Sequence, residues 1–347
     1  MRTTPSNNGA DEAAADFARY RGQIDGLLRQ HIPAGKPVAL LQFPYDGNVG
    51  NHMMWVATTD YLRERDIPIG YVAHANNFRS RDLRRAIGDG PILFLGGVTI
   101  SRLWPHHAAS KREVAEQFPD NPIISLPSTV LFVDEADVRE AATIFGNHRH
   151  VTLMTRDPVS EKQARDAFPP SVRVMTVPDV TLRLPLQPRK GTPEVDILWL
   201  ARADHEAAGF TPPPGVRVFD WPYVREGMRR AYYALRVSGV LSKVRSSPLG
   251  PPMGPLLNAQ IAASYRIASC DVLRRGNEIL DAGKVLVTDR MHPHILAALR
   301  GQDVIVLPDK FGKNRAVYDH YTKAFKTVYW AKSSDEALEL ARERARA

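Results

Sequence analysis

Short β-branched apolar runs alternate with stretches of helical periodicity from residue 38 almost to the C-terminus, and no other feature restricts the fold as tightly. Strand-like runs fall at 38–43, 69–74, 92–95, 123–126, 151–155 and 172–177, with helical patterns at 11–30, 81–87, 107–118, 135–145 and 160–168. A second series has strand-like runs at 195–200, 216–219, 285–287, 304–307 and 327–329, with a long helical pattern at 257–280 and a last one at 334–346. Strands joined by helices through short connections must run parallel, with helices covering both sheet faces. The expected fold class is therefore α/β, as two facing Rossmann-like domains with parallel sheets in a GT-B-like arrangement. No internal repeat of fixed period interrupts this pattern.

Composition breaks the chain once. Pro185, Pro188, Arg189, Lys190, Gly191 and Pro193 replace the periodic pattern, which marks 185–194 as a linker. The expected organisation is an N-terminal tail and helix over 1–35, a first domain over 36–184 and a second over 195–347, with the last helix free to pack back on the first domain. The Pro-rich stretch 247–255 reads as a loop at the mouth of a cleft.

With 347 residues, 44% apolar and 24% charged, the chain has the makeup of an ordinary globular protein. Its one cysteine, Cys270, allows no intrachain disulfide and suits a reducing compartment. The N-terminal residues are polar, without the apolar core of a signal peptide, and no uninterrupted apolar run reaches membrane-spanning length, so a cytoplasmic location is expected. The net charge of +8 is uneven: between Val224 and Ser246 six basic residues face one acid. That segment, 224–245, interleaves its charges with Met228, Tyr232, Tyr233, Val237 and Val240. It reads as a solvated surface helix or as one that lies on an anionic membrane surface, placing the chain peripherally at the inner face of the cytoplasmic membrane.

Chemistry-bearing residues collect where strands hand over to helices, which is where open α/β sheets keep their sites. After the run 285–287 come Asp289, Arg290 and His292 within four residues. Asp289 is placed to cap the following helix, Arg290 carries a planar five-donor fork, and His292 titrates near neutral pH. His294 is a weaker candidate with a packing role. Arg156 follows one strand in the segment Thr155-Arg156-Asp157, and Arg202 another, in Arg202-Ala203-Asp204-His205-Glu206. Three arginines at strand ends suit a multiply charged anion, although each alone also suits a structural ion pair. An earlier loop, Asp46-Gly47-Asn48-Val49-Gly50-Asn51, has the glycines and the helix start needed to hold an anion or a sugar hydroxyl. A phosphate-binding P-loop, a His-Glu-x-x-His zinc motif, paired cysteines and Asp-x-Asp are all missing, and Gly88-Asp89-Gly90 lacks the third glycine of a dinucleotide site. Neither a metal nor a nicotinamide cofactor is expected.

These motifs together resemble the polysaccharide pyruvyl transferase family over most of the chain. The resemblance is carried by Asn48-Val49-Gly50-Asn51, Leu95-Gly96-Gly97, Leu126-Pro127-Ser128-Thr129, Arg156-Asp157 with Ser160, Pro178-Asp179, Thr288-Asp289-Arg290-Met291-His292, and the later Lys313 loop. The N-terminal motifs depart from the family pattern, with Asn51 for an aspartate and Val98 for a third glycine, which hints at a different acceptor. The resemblance implies transfer of the enolpyruvyl carbons of phosphoenolpyruvate onto two hydroxyls of one sugar in a lipid-linked exopolysaccharide unit, giving a pyruvate ketal and releasing phosphate.

In that reading His292, Arg290 and Asp289 are catalytic, with His292 moving the proton. Arg290 and Arg202 hold donor oxygens, Arg156 or Lys313 and Arg315 complete the clamp, and Asn48, Asn51, His205 and Glu206 contribute further substrate contacts; the phosphoenolpyruvate side is the second domain. The first domain takes the acceptor, no metal or other cofactor is needed beyond phosphoenolpyruvate as donor substrate, and no nucleic acid is expected. Two other readings fit the residues: a glycosyltransferase of the same two-domain architecture using a nucleotide-sugar donor, and a non-catalytic protein that binds anionic lipid or nucleic acid through 224–245.

Overall fold

The computed structural model describes residues 8–98, 100–146, 148–204, 206–221, 227–248 and 250–347. They form two compact units: residues 24–180 with 227–272, and residues 8–23 with 181–221 and 273–347. Helix α1 (Asn8–His31) contributes to both.

The first unit alternates β1 (Val38–Leu41), α2 (Val49–Glu64), β2 (Ile69–Ala73), α3 (Ser80–Ile87), β3 (Ile92–Phe94), α4 (Pro105–Gln117), β4 (Ile123–Ser128), α5 (Glu135–Phe145), β5 (Val151–Thr155), α6 (Pro158–Ala167) and β6 (Val172–Thr176). All strand pairs are parallel, in the order β2-β1-β3-β4-β5-β6. Continuous apolar runs explain why. Every residue of β1 and β3 is buried, and a strand hidden on both faces cannot alternate polar and apolar residues. Gly96, just past β3, is required by packing: a Cβ there would lie 2.2 Å from the carbonyl oxygen of Pro127 in β4.

Two helices added to this unit late in the chain are α7 (Arg229–Arg245) and α8 (Gly250–Asp281), the latter also reaching into the second unit. The basic segment therefore joins the first unit rather than the second domain. Arg245, counted among its charges, is buried over the Tyr71 ring at 4.2 Å and donates to Asn258 Oδ1 at 2.7 Å and to the Val72 carbonyl at 3.1 Å. The described part of the expected loop 247–255 is instead largely the start of α8. Pro251 and Pro252 fall in the first turn, where backbone N–H groups have no intrahelical partner and proline forfeits nothing.

The second unit carries β7 (Val195–Leu200), β8 (Arg217–Phe219), β9 (Gly283–Thr288), α9 (Met291–Leu299), β10 (Val304–Val306), α10 (Lys313–Val317), β11 (Val328–Trp330) and α11 (Ser334–Arg346). Its sheet is also all parallel, in the order β11-β10-β9-β7-β8. Helix α11 does not return to the first domain as expected. Its Ala337 and Ala341 are buried in one core with Trp199, Val285, Val287 and Ile305, so it covers its own sheet. The expected linker is likewise tied down within this unit: Gln187 N–H donates to the Leu299 carbonyl at 2.9 Å and Lys190 N–H to Asp281 Oδ1 at 3.1 Å. Composition marked a change of pattern there, but satisfied backbone donors make it an ordered part of the unit.

Candidate active site

In an open parallel sheet, ligands bind beyond the C-terminal strand ends where the strand order reverses. In the second unit the chain runs from β7 to β8 on one side and returns to β9 on the other, so the reversal lies between β7 and β9. Leu200 of β7 is opposite Thr288 of β9, which puts Arg202 and Arg290 each two residues past that pair. Leu200 is also opposite Phe219, so Asp220 is the first residue beyond β8. Register alone thus converges two arginines and a carboxylate.

The side chains form one charged network. Arg290 presents Nε to Asp220 Oδ1 at 2.6 Å and Nη2 to Asp220 Oδ2 at 2.8 Å, and Nη2 also reaches Asp204 Oδ2 at 3.1 Å. Arg202 presents Nε to Asp204 Oδ1 at 2.6 Å and Nη2 to Glu206 Oε2 at 2.8 Å. Lys313 joins through a short ion pair to Glu206. It begins α10 directly after Gly312, which holds a left-handed φ of 75° that favours glycine. These ion pairs engage Nε and Nη2 of both arginines.

Asp289 does not cap α9 as expected from the sequence. Its Oδ1 accepts the backbone N–H of Arg202 at 2.8 Å, and the cap position is taken by Arg290 itself. The Arg290 backbone is set by Thr288, whose hydroxyl accepts the Arg290 N–H at 3.1 Å and donates to the Leu200 carbonyl at 2.9 Å. Burial pushes the Asp289 carboxyl up to about 6, against the hydrogen bond from Arg202 and the charge of Arg290. Burial alone would raise Asp204 too, but its hydrogen bond to Arg202 and the charges of both arginines hold it below the usual carboxylate range. The two aspartates thus titrate apart. With Asp289 protonated the three cations balance Asp204, Glu206 and Asp220; above pH 6 the cluster gains one negative charge.

A raised carboxylate pKa means that the folded state binds the proton more tightly than the unfolded chain, so this group's contribution to stability falls as pH rises from about 4 to about 6. Asp289→Asn copies the neutral form and keeps the acceptor for Arg202. It is expected to stabilise the protein by on the order of 2 kcal/mol at pH 8 and by little at pH 4. Urea unfolding at the two pH values measures this, and equal effects at both would mean that Asp289 titrates normally.

His292 lies in the first turn of α9, half-buried. His294 is fully buried, with Nε2 2.7 Å from Thr322 Oγ1, and burial pulls its pKa down to about 3. It is a neutral packing residue. Arg315 is half exposed, pairs with Asp319 at 2.6 Å and sits over Trp330 instead of entering the network. His205 lies outside the described residues.

The remaining candidates belong to the first unit. Arg156 is buried, donating through Nη1 to Asp179 Oδ2 at 2.8 Å and through Nε to Thr129 Oγ1 at 2.7 Å. Both of these bonds stay inside the unit. Asn48 caps α2 by accepting the Gly50 N–H at 3.1 Å, and Asn51 donates to Asp46 Oδ2 at 3.1 Å, so both brace the loop they occupy. This sheet reverses its order between β1 and β3. Near it Lys111, wholly buried, donates to Gln42 Oε1 at 2.7 Å and lies 4.8 Å from the centre of the Phe94 ring. Burial holds its ammonium well below the usual lysine range.

Sequence reasoning did not single out Asp204, Asp220 or Thr288 as site residues. A signal existed for Asp220, since a carboxylate immediately after a strand stands at the same strand ends as the arginines. Nothing local marked its pairing with Arg290, 70 residues away.

The sequence profile of the polysaccharide pyruvyl transferase family matches residues 48–308. Pyruvyl transferase 1 of Schizosaccharomyces pombe is 29% identical over 295 residues, covering 82% of this chain and 69% of its own length. EpsO of Bacillus subtilis, named as a candidate pyruvyl transferase, is 25% identical and is covered over 88% of its length by 86% of this chain. Among solved structures, a functionally uncharacterised protein of Klebsiella pneumoniae matches with a TM-score of 0.54 at 16% identity, over 90% of this chain and 99% of that one, a likeness of fold alone. Strand-end arginines at a sheet reversal and a profile match spanning both units lead to one conclusion: this chain belongs to the polysaccharide pyruvyl transferase family and is a transferase.

Proposed function

We propose that the enzyme moves the enolpyruvyl group of phosphoenolpyruvate onto two hydroxyls of a sugar in an exopolysaccharide repeat unit, forming a pyruvate ketal and releasing phosphate. The observation that carries this reading is the convergence of Arg202, Arg290 and Lys313 at the β7/β9 reversal, beside the N-terminus of α9. Phosphoenolpyruvate bears a carboxylate and a phosphate, and its recognition needs several fixed cations in a region of limited solvent access. Arginine forks bind both groups, and the N–H groups that open α9 favour an anion beside them.

The chemistry is balanced by one proton moving inside the site. A sugar hydroxyl oxygen attacks C2 of the donor, and the C3 methylene gains a proton to become the methyl group. The C2–phosphate bond then breaks as the second hydroxyl closes the ketal, its proton leaving with phosphate or to solvent. Arg290 and Arg202 hold the phosphate as its charge grows, which is where fixed cations accelerate a reaction most. In this reading His292 carries the proton between hydroxyl and methylene. Asp289 orients the Arg202 backbone, and Glu206 positions both Arg202 and Lys313.

Phosphate release from phosphoenolpyruvate, with lipid-linked oligosaccharide as acceptor, tests the reading directly. Acceptor-dependent release is expected, with kcat in His292→Ala lower by about 10²–10⁴-fold and the KM for phosphoenolpyruvate little changed, as for loss of a proton-transfer group. Native kcat in His292→Ala removes that residue from the mechanism. No release with a competent acceptor, together with turnover of a nucleotide sugar, replaces the donor assignment.

A further inference from the structure

Helix α7 is fastened at both ends. At its start the Ala231 N–H donates to Asp271 Oδ2 at 2.9 Å, and at its end Arg245 is buried against Tyr71 and Asn258. Its inward residues are Ala231, Ala234, Ser238 and Arg245. The opposite face is left to solvent, and its composition is unusual for a solvated helix. Tyr232, Tyr233, Val237 and Val240 are 56%, 64%, 50% and 62% exposed. Arg229, Arg236 and Lys243 are exposed among them, and the helix contains no acidic residue.

At 3.6 residues per turn, Arg229, Arg236 and Lys243 repeat every seven residues and run as one line down the middle of that outward face. Val240, Tyr233 and Val237 fan out on one side of the line and Tyr232 lies on the other. The Arg236 guanidinium donates to the Tyr232 hydroxyl at 3.2 Å, which keeps that ring on the outward side. A face meant only for water would carry both signs of charge and few large apolar groups. A face meant for another protein's core would carry fewer cations. Cations in a row flanked by tyrosines and valines match the boundary of an anionic bilayer, where lysine and arginine meet headgroup phosphates, tyrosine sits at headgroup level and aliphatic groups reach the acyl edge.

We infer that the outward face of α7 docks the enzyme on an anionic lipid surface. Among the described residues no helix is long and apolar enough to cross a membrane, so this contact is one that lies on the surface. The inference does not depend on the identity of the donor or acceptor.

Co-sedimentation of the full chain with phosphatidylcholine vesicles, with and without phosphatidylglycerol, provides the test. Binding is expected to the anionic vesicles and not to the neutral ones. The triple variant Arg229→Gln/Arg236→Gln/Lys243→Gln is expected to bind about a hundredfold more weakly, from three charges near the surface. Val237→Ser/Val240→Ser, which keeps every charge, is expected to bind several-fold more weakly and to lose its remaining binding in high salt, where charge contacts alone are screened. All of these side chains are exposed, and an unchanged melting temperature will verify that the fold is intact. Equal binding to both vesicle types, or no binding to either, overturns the inference. So does loss in the charge variant alone when single-stranded RNA displaces the native protein from vesicles, which would assign the face to nucleic acid.

Discussion

Arg290→Ala is expected to abolish measurable turnover, lowering kcat/KM for phosphoenolpyruvate by at least about 10³-fold, the scale of losing a preorganised charge donor. Part of the damage is structural. Without the guanidinium, Asp220, itself 8% exposed, loses the partner of both its oxygens while Asp204 keeps Arg202, and breaking a buried ion pair from one side costs about 3–5 kcal/mol. Arg290→Lys separates the two effects. A lysine restores one charge to the carboxylates but not the planar fork that spans Asp220. Its melting temperature is expected near that of the native protein, with kcat/KM still reduced about 10–100-fold. Steady-state kinetics and thermal unfolding on both variants decide the matter: native kcat/KM in Arg290→Lys would leave Arg290 a structural residue and move the donor elsewhere.

Arg156→Ala is expected to give the opposite pattern. Arg156 and Asp179 are buried together, 3% and 0% exposed, and the arginine also donates to Thr129. Truncation removes the charged partner of a carboxylate in the core, for an expected loss of about 3–5 kcal/mol in urea unfolding. Replacing both partners by apolar residues, Arg156→Met with Asp179→Leu, removes that carboxylate and is expected to recover most of that loss. At temperatures where the variants are folded, the KM for phosphoenolpyruvate should stay close to native. A large rise in KM without loss of stability would return Arg156 to the donor clamp where the sequence had put it.

Arg156 and Arg290 show how far local pattern carries. Both follow a β-branched strand, both precede a helix, and each has an aspartate beside it in sequence, so their surroundings read alike. What separates them is which carboxylate meets the fork. Arg156 meets one that is fully buried, whereas Arg290 shares Asp204, 26% exposed, with Arg202 at the reversal of a sheet. The expectation for Asp289 failed for a related reason. A carboxylate before a helix has two acceptable donors, the helix's own N–H groups or a neighbouring strand's, and register brought the Arg202 N–H closer. Arg315 was grouped with Lys313 by proximity in the chain, but on a helix two residues apart point to different sides.

The order of strands and helices, the parallel sheets and the strand ends that carry charge were determined by the sequence itself, because apolar runs and helical periods are local properties that survive any tertiary arrangement. Tertiary structure decided the rest. It enlisted Asp204 and Asp220 for Arg290 across 86 and 70 residues, spent Arg156 in a core, drew α7 and the start of α8 into the first unit, and turned one face of α7 outward. Each of those outcomes depends on which polar groups can satisfy one another once water is excluded, and that is settled by the register between segments far apart in the chain.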